Sequence, residues 1–318
     1  MWYRVLFVIR NSSLLRFFLV LIIEIFSANL AFGQQRQFFS QYMFNGLTIN
    51  PAYAGNQKML SAALIYRKQW VRMDGSPNTQ TFAFHNATKK KKIGYGLLVS
   101  RDEIGVHRDL SVYGVYSYKI KLKKGTLAMG LQGGFNYLSS NYYLLHTDPD
   151  VSDPMIPSRT SVLNPNVGMG LFYSTKTAYI GLSVPFFINN KTINKKDIDA
   201  ISQGTEERIY LLTAGKVFPL TESLSFKPST LIRIQDEAPL GFDLNGNVMY
   251  YELLTVGVSY RTGRSLILLT ELGLTENFRL GYSFDYAVSG LHSYNRGSHE
   301  IMLNYRINLT PQKCHTYF

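Results

Sequence analysis

The sequence predicts an all-β fold: a transmembrane outer-membrane antiparallel β-barrel of about fourteen strands, with an N-terminal plug or periplasmic segment. Three observations predict it. Apolar and polar residues alternate strictly along several long runs. Tight and long connections alternate along the chain. An export signal stands at the start.

The signal comes first in the chain. Arg4, Arg10 and Arg16 form a positive n-region, and Phe17 to Ile23 form a short apolar stretch. Ala31-Phe32-Gly33 then places small residues where a signal peptidase reads them, so cleavage is expected before Gln34. Glu24 interrupts the apolar run well short of the roughly 20 residues a spanning helix needs. No later stretch is apolar enough for a transmembrane helix.

Composition fits a chain with one face in lipid and one in water. Of 318 residues, 46% are hydrophobic and 14% aromatic, yet mean hydropathy is near zero. Only 17% are charged, below the roughly 25% of soluble domains. A single cysteine, Cys314, excludes an intrachain disulfide framework. The net charge is +12, and most of it survives processing. Its basic residues sit mainly in turns and between aromatic strand residues. No recognition motif accompanies them, so nucleic acid is not an expected partner.

From about Met59 the chain alternates with period two. Leu127, Met129, Leu131, Gly133, Phe135 and Tyr137 face one side, while Ala128, Gly130, Gln132, Gly134 and Asn136 face the other. Runs beginning at Leu240, Phe278 and Glu300 repeat the pattern. Side chains of a strand point to opposite faces in turn, so such runs are strands. They match the roughly 9–11 residues that cross a bilayer at a tilt. Tyr137, Tyr173, Tyr250, Tyr260 and Tyr286 sit at strand ends, as interfacial aromatics do.

The fourteen expected strands begin near residues 59, 79, 93, 108, 125, 164, 177, 208, 222, 239, 252, 264, 276 and 298. Even-numbered connections are tight, and the first, fifth, seventh and thirteenth are long. Short periplasmic turns alternating with longer outside loops is the outer-membrane layout. An even strand number then puts both termini in the periplasm. A soluble barrel is disfavoured because fourteen strands enclose a lumen too wide for side chains alone to fill. The expected organisation is a signal peptide at 1–33, an N-terminal segment at 34–57, the barrel at 58–309 and a periplasmic tail at 310–318.

Residues 34–57 do not fit the strand pattern. Their apolar side chains precede the first strand and cannot face lipid. They either tuck into the barrel as a plug or dock on a periplasmic partner.

No constellation reads as an active site. Ser298-His299-Glu300 resembles a compressed triad, but neighbours on a strand face opposite ways. His85, His107, His146, His292, His299 and His315 lack metal-ligand spacing. Asp148, Asp150 and Asp153 lack the Gly and distal Glu of a calcium loop. Lys89–Lys92 reads as a solvated turn, or as a contact for anionic headgroups or an acidic partner. The lumen face carries Lys227, Arg233, Asp243, Arg261, Glu271, Arg279, Asp285, Glu300 and Arg306. Such mixed charge makes either a selective pore or a paired network that fills the lumen.

Several blocks, in order, resemble one known family. Phe39-Ser40-Gln41-Tyr42-Met43-Phe44-Asn45 followed by Ile49-Asn50-Pro51-Ala52-Tyr53-Ala54-Gly55 is the most specific. Tyr66-Arg67 with Gln69-Trp70, Asp102-Glu103-Ile104-Gly105, Phe226-Lys227-Pro228-Ser229 and Gly281-Tyr282-Ser283-Phe284-Asp285-Tyr286 extend it. These are similar to the PorP/SprF outer-membrane proteins of the Bacteroidetes type IX secretion system. Asn45-Gly46 stands where that family usually has Asn-Pro. The resemblance implies a non-enzymatic component of protein secretion and gliding motility, without cofactor, metal or catalytic residues. Its implied partners are outer-membrane lipid, a large secreted adhesin-like protein at the cell surface, and periplasmic secretion or motility machinery. The candidate partner-binding residues are Phe39, Gln41, Tyr42, Phe44, Asn50, Pro51, Tyr53, Gly55 and Trp70. A plugged channel or hydrophobic-ligand transporter is the alternative.

Overall fold

The computed structural model of the protein describes residues 38–57, 59–88, 92–145, 159–191, 205–236, 238–262, 265–288 and 296–307. The expected signal peptide, Lys89–Lys91, the aspartates at 148, 150 and 153, His146, His292, Cys314, His315 and the expected tail lie outside the described residues.

Seven strands come first: β1 (Leu60–Lys68), β2 (Asn78–Ala87), β3 (Ile93–Ile104), β4 (His107–Lys121), β5 (Thr126–Ser140), β6 (Thr160–Ser174) and β7 (Ala178–Val184). The two-residue strands β8 (Asn190–Lys191) and β9 (Thr205–Glu206) pair with each other in the connection that follows. Next come β10 (Ile209–Lys216), the two-residue β11 (Phe218–Pro219), β12 (Leu224–Gln235) and β13 (Gly241–Tyr250). The chain ends its sheet with β14 (Leu254–Arg261), β15 (Ser265–Gly273), β16 (Phe278–Ala287) and β17 (Ser298–Ile307).

The fourteen long strands form one closed antiparallel ring. Each pairs with its sequence neighbour, with β7–β10 and β10–β12 pairing across the short strands. The ring closes where β1 meets β17, from Leu60↔Ile307 to Lys68↔His299. Closure leaves no unpaired edge, the condition for a sheet in hydrocarbon. Observed strand starts lie within four residues of the expected ones. β6 departs most, beginning at Thr160 instead of near 164. Pro165 lacks a backbone donor, yet it sits opposite Phe135 within the ladder.

Alternation separates two faces. Leu131, Leu163 and Leu268 point outward and are more than half exposed. Gln132, Asn136, Asn166 and Asn304 point inward and are buried. The outer band is therefore apolar and suited to lipid. Strands β4, β5 and β6 each run 15 residues, beyond the length a bilayer requires.

The two mouths of the barrel differ. One is closed by tight turns, as where the Leu122 N–H donates to the Gly125 carbonyl at 2.8 Å and Thr175 N–H to Ala178 O at 2.8 Å. The β13–β14 turn places Tyr251 and Glu252 at φ 48° and 54°, the left-handed pair that tight hairpins use. The other mouth carries the long connections at 69–77, 141–159, 185–208 and 288–297, beside the two-residue turn Gly105–Val106.

Candidate functional site: the occupied lumen

Fourteen strands leave a lumen that wall side chains cannot fill, and residues 38–57 occupy it. The segment folds by local rules. Ser40–Phe44 makes a turn closed by Phe44 N–H to Gln41 O at 2.9 Å. A 3-10 turn follows at Gly46–Thr48, and a second at Pro51–Tyr53. Asn50 caps the second: its Oδ1 accepts the Ala52 N–H at 2.9 Å, and Pro51 stands at the first helical position. The Tyr53 ring packs directly on Gly46, where a Cβ would lie 2.7 Å from Cδ2. Gly46 is therefore required by this packing.

The segment crosses the lumen from one mouth to the other. Phe38 and Phe39 lie at the long-connection mouth. The Arg233 guanidinium sits 5.0 Å from the Phe38 ring, and Arg261 donates to the Phe39 carbonyl at 3.2 Å. Ser40 and Gln41 come next. Their backbone N–H groups donate to the two oxygens of Glu300 at 2.8 and 3.0 Å. The Ser40 hydroxyl donates to Asp285 and accepts from Arg67. Deeper, the Asn50 amide donates to the Leu171 carbonyl, and Ser183 donates to the Ile49 carbonyl at 2.6 Å. At the short-turn mouth Ser117 donates to Ala54 O, Lys119 donates to Gly55 O, and the Gly55 N–H reaches His85 Nδ1. Residue 60 then begins β1 at that same mouth.

Apolar packing completes the fit. Phe44, Leu47, Ala52 and Tyr53 join inward residues Ile65, Leu98, Tyr113, Val115 and Phe172 in one core. Tyr42 and Ile49 join Ile209, Leu211 and Leu231 in a second. Wall glycines admit the backbone. A Cβ on Gly130 would enter the Ala52 backbone, and one on Gly94 would enter the Ala54 carbonyl. Between segment and wall a cavity of about 30 Å³ touches Tyr42, Asn50, Tyr53 and Tyr179.

The lumen charges are paired. Arg67 bridges Asp285 at 2.6 Å and Glu300 at 2.9 Å. Asp243 bridges Arg233 at 2.8 Å and Arg261 at 3.0 Å. Glu271 bridges Arg279 and Arg306, each at 3.3 Å. Of the two sequence readings, a pore lining or a paired network, the network is the one observed. Arg67 was absent from the lumen charges read from sequence. Its signal was its phase on β1, where Ser61, Ala63, Ile65 and Arg67 all point inward. The buried Tyr42 hydroxyl accepts from the Asn245 amide at 2.6 Å.

Eight of the nine candidate partner-binding residues lie in this segment. Gln41, Tyr42, Phe44, Asn50, Pro51, Tyr53 and Gly55 are buried against the wall, and Phe39 is half-buried. Trp70 is separate. It is half-buried in the β1–β2 connection with φ 45°, and its N–H donates to Ser298 Oγ at 3.2 Å. That bond engages the serine of Ser298-His299-Glu300. His299 faces outward and meets the Tyr282 hydroxyl at 2.7 Å, while Glu300 faces inward to Arg67. The three do not form a relay. Among the described residues no cluster of three metal-ligating side chains occurs.

Solved structures similar to this chain include a NanC porin, at 9% identity and TM-score 0.40, with 77% of this chain and 97% of that one covered. The Acinetobacter baumannii outer membrane protein Omp33 is similar at 7% identity and TM-score 0.45, covering 79% and 98%. A mutant porin of Rh. blastica is similar at 9% identity and TM-score 0.32, covering 78% and 99%. No curated protein matches the chain. Residues 31–305 match the family described as type IX secretion system membrane protein PorP/SprF. That span runs from before the lumen segment to within two residues of the end of β17, and so the chain belongs to the PorP/SprF family of outer-membrane proteins of type IX secretion.

Proposed function

We propose that this barrel is a non-enzymatic adaptor that supports export or surface attachment of a large secreted, adhesin-like protein. Its mechanism is binding. In this reading residues 1–33 are removed as a signal peptide, the short turns face the periplasm, and the long connections face outward. Residues 310–318 form a periplasmic tail.

The observation that carries the reading is the lumen. A folded segment crosses it, bonded to β17 through Glu300, to β13 through Asn245, to β7 through Ser183 and to β4 through Ser117. These strands lie on different sides of the ring. A pore built to conduct would leave that path open.

The two faces then have separate work. The long connections supply the surface for the secreted partner. The short-turn rim supports contact with periplasmic machinery, because its exposed charges are segregated. Lys121, Lys124, Lys176 and Lys216 line the turns from β4 to β10. Glu222, Glu252 and Glu276 line those from β12 to β16. A lipid surface of one sign would attract only half of this rim; a protein face of opposite polarity would match both.

Two measurements test the reading. Purified mature protein in planar bilayers should show no steady conductance. A stable open pore would favour the channel or hydrophobic-ligand transporter. Gentle detergent extraction should co-purify a large secreted protein with the barrel; repeated recovery of the barrel alone would sink the adaptor.

A further inference from the structure

A groove of about 470 Å³ lies on the outer face of the barrel, across the seam between β17 and β1 and on over β2 and β3. We propose that it holds one phosphorylated lipid, with the acyl chains along the groove and the phosphate on Arg101 and Arg108.

The groove changes character along the strands. Leu64, Phe82, Val99 and Leu303 make its apolar part. Two residues nearer the long-connection mouth, the same faces of β2 and β3 present Gln80 and Arg101, which pair in the ladder. A lipid offers the same sequence, apolar chains below a polar headgroup, so the two match end for end.

Charge is gathered at the polar end. Among the described residues of the fourteen long strands, the outward-facing lysines and arginines near the long-connection mouth are Lys68, Arg101 and Arg108, on β1, β3 and β4. One outward carboxylate stands among them. Glu103 lies between Asn78 and Arg108 in the ladder and accepts from Arg101 at 2.5 Å and from Arg108 at 3.3 Å. Three cations against one carboxylate leave a surplus of positive charge. Lys68 donates to the Ser76 carbonyl at 3.1 Å and keeps its charge at this edge. The outward residues of β12 to β16 include no lysine or arginine. Contact with bulk lipid would not require cations on one arc alone.

The guanidinium groups are free to turn. The side chains of Arg101 and Arg108 are 53% and 68% exposed, and exposed ion pairs are weak. A phosphate offers arginine two parallel N–H bonds in place of one carboxylate contact. In the orientation proposed above, this end of the groove lies in the outer leaflet, where phosphorylated glycolipids reside. The groove and its cations do not depend on that orientation.

Native mass spectrometry of the purified full-length barrel tests the site, with monophosphoryl lipid A and its dephosphorylated form as probes. Neither the secreted partner nor the direction of insertion enters the measurement, so the adaptor reading can fail without it. The parent protein should retain one phosphorylated lipid and little of the dephosphorylated form. Retention should fall about tenfold in Arg101→Gln, Arg108→Gln, the scale of a lost charge-assisted bond, and stay at the parent level in Lys123→Gln, an equal charge change at the other mouth. Val99→Trp fills the apolar part and should reduce retention as well; Leu303→Trp replaces it if that variant does not fold. Heat-modifiable gel mobility identifies the folded variants. Equal retention of the two probes by the parent protein, or full retention by the double arginine variant, would overturn the proposal. Full retention in both tryptophan variants would place the lipid elsewhere and overturn it too.

Discussion

The carboxylate of Glu300 accepts the backbone N–H of Gln41 at 3.0 Å, joining residues 259 positions apart inside the barrel. The same side chain accepts the Ser40 N–H and pairs with Arg67. One buried carboxylate thus ties the last strand, the first strand and the lumen segment together.

Glu300→Ala should detach the segment and leave Arg67 with Asp285 alone. Breaking a buried pair in this way costs about 3–5 kcal/mol. The urea midpoint of the folded, heat-modifiable band should fall accordingly. The Glu300→Ala, Arg67→Ala pair should cost less than the two single losses added, because the residues share one network. An additive double variant would show that the pair is not coupled.

Two glycines on β5 provide an internal control. Gly130→Ala pushes a Cβ into the Ala52 backbone, whereas a Cβ on Gly133 meets nothing within 4 Å. Overpacking of this kind costs about 1–3 kcal/mol. Gly130→Ala should expose residues 38–57 to added protease while the barrel still resists it. Gly133→Ala should match the parent protein in the same digest.

Asn50 combines a cap with two wall bonds. Asn50→Ala loses the Ala52 N–H acceptor and the donations to Leu171 O and Leu182 O, an expected cost of about 1–3 kcal/mol. Asn50→Asp keeps the acceptor and loses the donor. Amide exchange at Ala52 should quicken strongly in Asn50→Ala and less in Asn50→Asp. Equal exchange in both would mean that the cap contributes little.

Leu268 points to lipid from the middle of β15 and is 53% exposed. Leu268→Arg should weaken insertion into lipid vesicles by about 2–4 kcal/mol, the cost of a cation at the bilayer midplane. Its neighbour Ile267 is fully buried on the inner face. Ile267→Val should change folding by only about 0.5–1.5 kcal/mol. A mild effect of Leu268→Arg would argue that this face does not contact lipid.

The barrel was legible because alternation is local. Leu127 to Tyr137 could be assigned to two faces without knowing any neighbour, and β5 obeys that assignment. Turn spacing added the order of short and long mouths. The lumen network was less legible because its contacts are distant. Nothing near Arg67 announces Asp285 or Glu300, which lie 218 and 233 positions away. The footprint of the segment did leave a trace. Inward Tyr113, Val115 and Ile65 are apolar where a water-filled lumen would be polar. They mark where the wall meets Phe44, Leu47 and Tyr53.

Gln41 lies inside the ring that β17 completes, so the order of assembly is constrained. The seam between β1 and β17 brings Arg67 opposite Glu300 in the ladder. A ring closed without its contents would leave Asp285 and Glu300 side by side on the lumen wall with one guanidinium between them, without the Ser40 and Gln41 donors that complete their bonding. A barrel that has swallowed its leading peptide escapes that mismatch, which makes the last stitch of biogenesis sensitive to whether the cargo of the lumen is already on board.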